Sequence, residues 1–203
     1  MKFPHALSLR RPLRKGLQGL TLIELMIAIS IGAILIALAA PSFKEALGKN
    51  RLSSAASEFT GAVQLARAEA IRNNRRVTLC RSKDGSSCNS TDTVWPGWIV
   101  FVDLDGDGVR DNNEPVVKAG TFDGNLRGIP SANITTANQR ITFRGDGIAR
   151  TNGQQLLTGT LALCLATTEP ADNVRDVSLA FGSRTVVRKR NGSGACNTPA
   201  DTL

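Results

Sequence analysis

The chain has 203 residues, 41 % of them hydrophobic, with a formal net charge of +8, four cysteines and one histidine. That length allows one ordinary domain plus accessory segments; the lone histidine, His5, and the absence of a CxxC pair exclude the common zinc sites. Charge is uneven: Lys2, Arg10, Arg11, Arg14 and Lys15 precede residue 20 with no acid among them, and setting those five aside leaves 20 basic residues against 17 acidic ones.

The first element is apolar. Leu20–Ala40 is interrupted only by Thr21, Glu24, Ser30 and Gly32, and as a helix it would extend roughly 31 Å, enough to cross a bilayer core. The basic stretch before it orients that span with its N-terminus in the cytoplasm and everything after Pro41 outside the inner membrane. Glu24 is costly there, since a carboxylate within a bilayer is disfavoured by roughly 2.5–3.5 kcal/mol. A secretory signal is cut after its apolar run, whereas the Gly19–Leu20 junction lies ahead of this one.

This arrangement resembles the prepilin signal of type IV pilins and type II secretion pseudopilins. The resemblance implies a leader at residues 1–19, cleavage between Gly19 and Leu20 by a prepilin peptidase, and methylation of the new Leu20 amine. Leu20 stands where the family usually has phenylalanine. Counted from Leu20, Glu24 is the fifth residue and Pro41 the twenty-second, the positions of the family's assembly glutamate and helix proline. The glutamate pairs with the N-terminus of a neighbouring subunit, which turns an isolated buried charge into a partnered one.

Residues 20–41 thus read as the transmembrane half of a helix and 42–74 as its amphipathic half, with Pro41 kinking rather than ending it. Leu52, Ala55, Phe59, Ala62, Val63, Ala66 and Ala70 recur at three- and four-residue spacing and mark one apolar face. Asn73 and Asn74 are the stop signal. Residues 75–203 form a β-rich domain, with strands at RRVTLC, GWIVFVD, PVVKAG, QRITFRG, TLALCLA and VSLAFGSRTVVRKR. Helix first and strands after predicts an α+β fold with the helix packed across an antiparallel sheet. The last seven residues read as a loose tail.

Four cysteines allow three pairings, or four free thiols. Cys80–Cys88 with Cys164–Cys196 is favoured, because the first pair closes a short loop. Trp95 and Trp98 bracket Pro96–Gly97 and read as core and turn residues. The mature chain has no histidine and no nucleophile–base pairing, so an enzyme is not expected.

ARAEAIRNNRRVTLC, WPGWIVFVDLDGDGVRDNNE, LALC and GSRTVVRKRNGSGAC together resemble the FimT/FimU branch of minor pilins, which shares its domain with the pseudopilin GspH. The resemblance implies a type IV pilin-like fold and a non-enzymatic subunit that primes a filament tip. Its partners would be other minor and major pilins or pseudopilins, the prepilin peptidase and the inner membrane. Type II secretion is the alternative setting.

Two further stretches carry chemistry. DLDGDGVRDNNE places Asp103, Asp105, Asp107, the Val109 carbonyl, Asp111 and Glu114 at the spacing of a calcium loop, although strands rather than helices flank it. An acidic hairpin turn is the plainer reading. Arg184, Arg188, Lys189 and Arg190 are four cations in seven residues, suited to the phosphates of double-stranded DNA without sequence specificity. DNA-binding FimT proteins carry Gly-Arg-x-Arg here, where this chain reads Gly182-Ser183-Arg184; a solvated strand face is the alternative.

Overall fold

The computed structural model describes residues 19–201, and of residues 39–41 the backbone alone. The basic stretch with Lys2, His5, Arg10, Arg11, Arg14 and Lys15 lies outside the described residues. The chain divides into two units, Met1–Pro41 and Ser42–Leu203.

Helix α1 (Leu22–Asn73) is helical on both sides of Pro41. In the first unit its apolar side chains, from Leu22 to Leu38, are largely exposed. No single helix among the described residues is long and apolar enough to cross a membrane; the pieces Leu22–Leu38 and Ser42–Asn73 meet that test only together, by length and composition. Helix begins at Leu22, two residues into the expected span, and continues through Pro41.

In the second unit α1 buries Leu52, Ala56, Phe59, Ala62, Val63, Ala66 and Ala70. Ala55, expected on that face, is only half-buried and Ala56 takes its place. The sequence 52, 56, 59, 63, 66, 70 alternates steps of four and three, which keeps a stripe straight on a helix of 3.6 residues per turn. Asn74 closes the helix with φ of 47°, the left-handed geometry asparagine tolerates just past a helix end.

Two antiparallel sheets, rather than one, receive the stripe. The first contains β1 (Arg76–Arg81), β2 (Gly97–Asp103), β3 (Val116–Thr121), β5 (Arg140–Phe143) and β6 (Ala149–Arg150), in the order β3-β2-β1-β5-β6. The second contains β4 (Leu126–Pro130), β7 (Gly159–Leu165), β8 (Val174–Ala180) and β9 (Arg184–Arg190), in the order β4-β7-β8-β9. The run read as one strand, VSLAFGSRTVVRKR, is the β8–β9 hairpin, turned by a short 3-10 segment at Phe181–Ser183 in which Gly182 has φ of 72°. β4, β6 and the one-turn α2 (Ala132–Thr136) were not expected. LRGIP hides β4 because Gly128 and Pro130 both read as breakers; at a sheet edge a proline's missing N–H goes unneeded.

One core spans both sheets, with Val77, Leu79, Trp98 and Val100 from the first and Leu161, Leu163, Val177 and Leu179 from the second. Phe59 is at its centre, edge-on to Trp95 and Trp98 at 6.1 and 6.4 Å and tilted against Phe122 at 6.3 Å. Trp95 also joins the sheets. Its backbone N–H donates to Gly128 O at 2.7 Å, the Gly128 N–H returns a bond at 3.1 Å, and its indole donates to the buried Gln139 Oε1 at 2.7 Å. A side chain at Gly128 would strike Trp95 and Phe122, which is why a glycine interrupts β4.

The outer faces are covered differently. Cys80, Ile99 and Phe101 pack under Cys88, and Ala162, Cys164 and Val174 pack under Cys196. Both disulfides, Cys80–Cys88 and Cys164–Cys196, are present. The C-terminal segment is not loose: Pro199 is buried and Asp201 Oδ1 accepts the Asn133 N–H at 2.7 Å.

Loop-closure entropy predicts unequal disulfide contributions. With sequence separations of 8 and 32, the pairs should contribute about 2.5 and about 3.7 kcal/mol respectively. Urea unfolding of a fragment starting at Lys44 should give a lower midpoint for Cys164→Ser with Cys196→Ser than for Cys80→Ser with Cys88→Ser. The opposite order would show that native packing around Cys88 outweighs chain entropy.

Candidate functional site

At the start of α1, Gly19 and Leu20 are exposed, Leu20 by 75 %. Thr21 and Glu24 form a reciprocal cap. Glu24 Oε2 accepts the Thr21 N–H and hydroxyl, each at 3.4 Å, while Thr21 Oγ1 accepts the Glu24 N–H at 3.3 Å. Thr-x-x-Glu is the sequence signature of such a box, legible at residues 21–24 but passed over in favour of the glutamate alone. Glu24 therefore has a local partner in its own first turn.

The acidic loop after β2 folds around some of its carboxylates only. Oxygens of Asp103, Asp105 and Glu114 lie within 4.8 Å of one another, with Asp103 and Glu114 buried. Asp107 and Asp111 are exposed and stand outside that cluster. The backbone consumes much of the acceptor capacity. Asp103 Oδ1 takes the Gly106 N–H at 2.6 Å; Glu114 takes the Leu104 N–H at 2.6 Å through Oε1 and the Asp111 N–H at 3.0 Å through Oε2. Asp107 Oδ1 takes the N–H of Val109, the residue expected to offer its carbonyl, at 2.6 Å.

Two arginines from neighbouring strands fasten this loop, and sequence reasoning missed both. Arg76 of β1 donates to Gly106 O at 2.6 Å and Arg140 of β5 to Asp107 O at 2.8 Å. Each guanidinium lies where a side chain at Gly106 or Gly108 would have to go, and both glycines have φ above +70°. The pairing of β1 with β5, which no local pattern reveals, is what aims them at one loop. Arg81 does similar work nearby, holding Val94 O at 2.7 Å and Asp92 at 2.8 Å.

Burial pushes the Asp103 carboxyl above its ordinary value, and the charge of Glu114 adds to this, against the Gly106 N–H and the Thr78 hydroxyl, which favour the ionised form. Elsewhere, backbone N–H groups hold two exposed carboxyls low: Ser86 acts first on Asp84, and Ile148 first on Asp146.

The four terminal cations do not form one patch. Alternation along β9 sends Arg184, Arg188 and Arg190 to the outer face and Lys189 to the helix-facing side, opposite Arg175. Arg190 is already committed, gripping the buried Asp176 through Nε at 2.6 Å and Nη2 at 3.0 Å. Asp176 is invisible to a reading of residues 184–190 alone. Arg184 and Arg188 remain as exposed outer-face cations.

Comparison with known proteins follows the same lines. The chain matches the family described as Type II transport protein GspH over residues 55–183, more than half its length, and the Prokaryotic N-terminal methylation motif over residues 14–40. No curated protein matches it. Among solved structures it is similar to the type IV minor pilin FimU of Pseudomonas aeruginosa, at 20 % identity and a TM-score of 0.50, over 76 % of this chain and 97 % of that one. It is also similar to the minor pseudopilin EpsH from the Type 2 Secretion System of Vibrio cholerae, at 13 % identity and a TM-score of 0.44, over 70 % of this chain and 97 % of that one. The FimU likeness is one of fold, and the fold is type IV pilin-like.

The acidic loop carries a definite pH signature. Because the Asp103 pKa is raised in the folded state, the stability linked to its proton is fully present below its ordinary value of 3.8 and is lost as pH rises through the raised value. Asp103→Asn removes that titration. Urea unfolding across pH 3–7 should therefore show the parent losing stability relative to the variant as pH rises; a pH-independent difference would mean that Asp103 titrates as an exposed carboxylate does.

Proposed function

The chain belongs to the GspH family, and from that premise we propose that it is a processed, membrane-anchored minor subunit of a type IV pilin-like filament. The observation that supports this reading is the methylation motif at residues 14–40 joined to a helix whose apolar residues are largely exposed among the described residues. Prepilin peptidase cuts between Gly19 and Leu20 and the Leu20 amine is methylated. Before assembly Glu24 is held by Thr21 and favoured by the positive end of the helix dipole. During assembly it exchanges that weak cap for the N-terminal amine of a neighbouring subunit, a full opposite charge that offsets its cost in an apolar setting. The role is structural rather than catalytic, with the second unit on the periplasmic side of the inner membrane and other pilins as partners.

We place this subunit in a type IV pilus or its tip complex. Use as the H pseudopilin of type II secretion is the second reading, favoured by the family match over residues 55–183. Deleting the gene should abolish surface pili on the first reading and leave secreted enzymes in the periplasm on the second. DNA capture would rest on Arg184 and Arg188, because β9 turns Lys189 to its other face and Arg190 is neutralised by Asp176.

Processing and pairing can be tested together. Intact-mass analysis of membrane-extracted protein should show a chain beginning at a methylated Leu20. Glu24→Gln keeps the capping geometry but removes the charge, whereas Glu24→Ala removes both. Both variants should insert in the membrane and both should fail to co-purify with other pilins. Retention of the leader, or normal co-purification of the Gln variant, would contradict the pairing role.

The oxygen set of Asp103, Asp105 and Glu114 suits a hard cation, and calcium is the ion its loop spacing fits. Bound there, the ion would brace the β2–β3 connection. A site with a Kd of roughly 0.1 mM would add about 1.4 kcal/mol at 1 mM calcium. The melting temperature should rise with calcium in the parent and not in Asp105→Asn. An unchanged melting temperature in the parent at millimolar calcium would leave the loop held by its own hydrogen bonds and by Arg76 and Arg140 without a cation.

A further inference from the structure

Between α1 and the edge strand β9 lies a groove of about 410 Å³ that is unlike the apolar seam on the rest of the helix. Arg175 of β8 lies at its floor, only 4 % exposed, on the same strand face as Val177 and Leu179. Its hydrogen bonds run through Nη1 alone, to the carbonyls of Asp172 at 2.9 Å and Val174 at 3.0 Å. Among the described residues no carboxylate pairs with it, although the exposed Asp172 favours its charge through space. Burial correspondingly lowers its pKa. A charge taken out of water without a counter-charge is strongly disfavoured, whereas the buried Arg81 and the half-buried Arg190 each hold a carboxylate.

Two more polar groups converge on the same space. Lys189, directly across the ladder from Arg175, adds a second cation. Thr60 Oγ1 on the helix side is buried and has no hydrogen-bond partner. The helix wall is otherwise small. Ser53, Ser57 and Gly61 follow at four-residue steps, and a Cβ at Gly61 would meet nothing within 4 Å.

We propose that this groove is a docking site for an acidic α-helical segment of a neighbouring filament subunit, whose carboxylate is received by Arg175, Lys189 and the Thr60 hydroxyl. The acid follows from charge complementarity: a planar guanidinium and an ammonium share the site with a free hydroxyl donor. The helix follows from the wall, since small residues four apart let a second helix backbone approach closely. A small metabolite fits poorly, because the groove lacks the aromatic lining that buries such ligands. The phosphates of a duplex fit poorly too, because Arg175 lies at the floor rather than on a convex surface. The proposal rests on the assembly reading above.

The test uses the full chain expressed in its host with the other filament subunits, carrying a photo-crosslinking residue at the exposed Gln64, which lines the groove. The expected adduct joins Gln64 to an Asp- or Glu-bearing helical stretch of another subunit, located by mass spectrometry. Lys189→Glu and Gly61→Leu, both at exposed positions that leave the core intact, should each reduce the adduct at least about tenfold, equivalent to about 1.4 kcal/mol, with unchanged melting temperature. The proposal is overturned by an adduct that both variants leave undiminished, by one mapped to a stretch without acids or to a second copy of this chain, or by one lost on nuclease treatment. A parent chain that co-purifies with no filament subunit overturns the assembly reading itself. One that co-purifies yet gives no adduct at Gln64 overturns the docking site alone.

Discussion

Burial of the Leu52–Ala70 stripe is the interaction on which the second unit depends. Each sheet turns one apolar face into a shared core, and the helix stripe packs into that same core. Phe59 concentrates that closure, touching Trp95, Trp98 and Phe122 in geometries that add about 0.5–1.5 kcal/mol per ring pair beyond the area buried. Trp95 then makes the arrangement unique. Its paired backbone bonds with Gly128 fix where the edge of the second sheet meets the loop entering β2 of the first.

With the inner faces used up, the outer faces decide what is left for chemistry. The second sheet spends its outer face on the C-terminal segment, drawn in by Cys164–Cys196 and ended by the Asp201–Asn133 contact. The buried Asp176 beneath it needs a cation, and Arg190 supplies one. The first sheet spends its outer face on Arg76 and Arg140, which hold carbonyls of the acidic loop. Charge-rich stretches that look free in the sequence are thus largely occupied within the fold. Arg175 differs in place: it is buried on the inner side, bonded to backbone carbonyls, beside a helix wall of small residues that leaves a groove open.

The first unit follows a different logic. From Leu22 to Leu38 the helix has apolar residues on every side, and among the described residues of its unit they are largely exposed. A helix of that kind gains nothing from an acidic residue unless the residue does a second task. Glu24 does two in sequence, capping its own helix through Thr21 and then, on the proposed reading, meeting a neighbour's amine.

By itself the sequence determined what depends on neighbours along the chain. The apolar run with its glutamate, the three- and four-residue stripe, the Asn73–Asn74 stop and the strands β1, β2, β5 and β7 are all local periodicity or local breakers, and they were legible with small errors such as Ala55 for Ala56. Tertiary structure decided whatever depends on which strand lies beside which. It split the expected single sheet in two, made a strand of LRGIP because Trp95 needed a glycine to approach, and drew the tail onto a sheet. It also sorted the charges. Asp103, Asp105 and Glu114 converge while Asp107 and Asp111 do not, and Arg190 finds Asp176 across a hairpin while Lys189 points the other way. A residue's type and spacing state what it could bind, but the partner that reaches it first is chosen by pairing between strands far apart in sequence, where the energy of a contact outweighs any local preference.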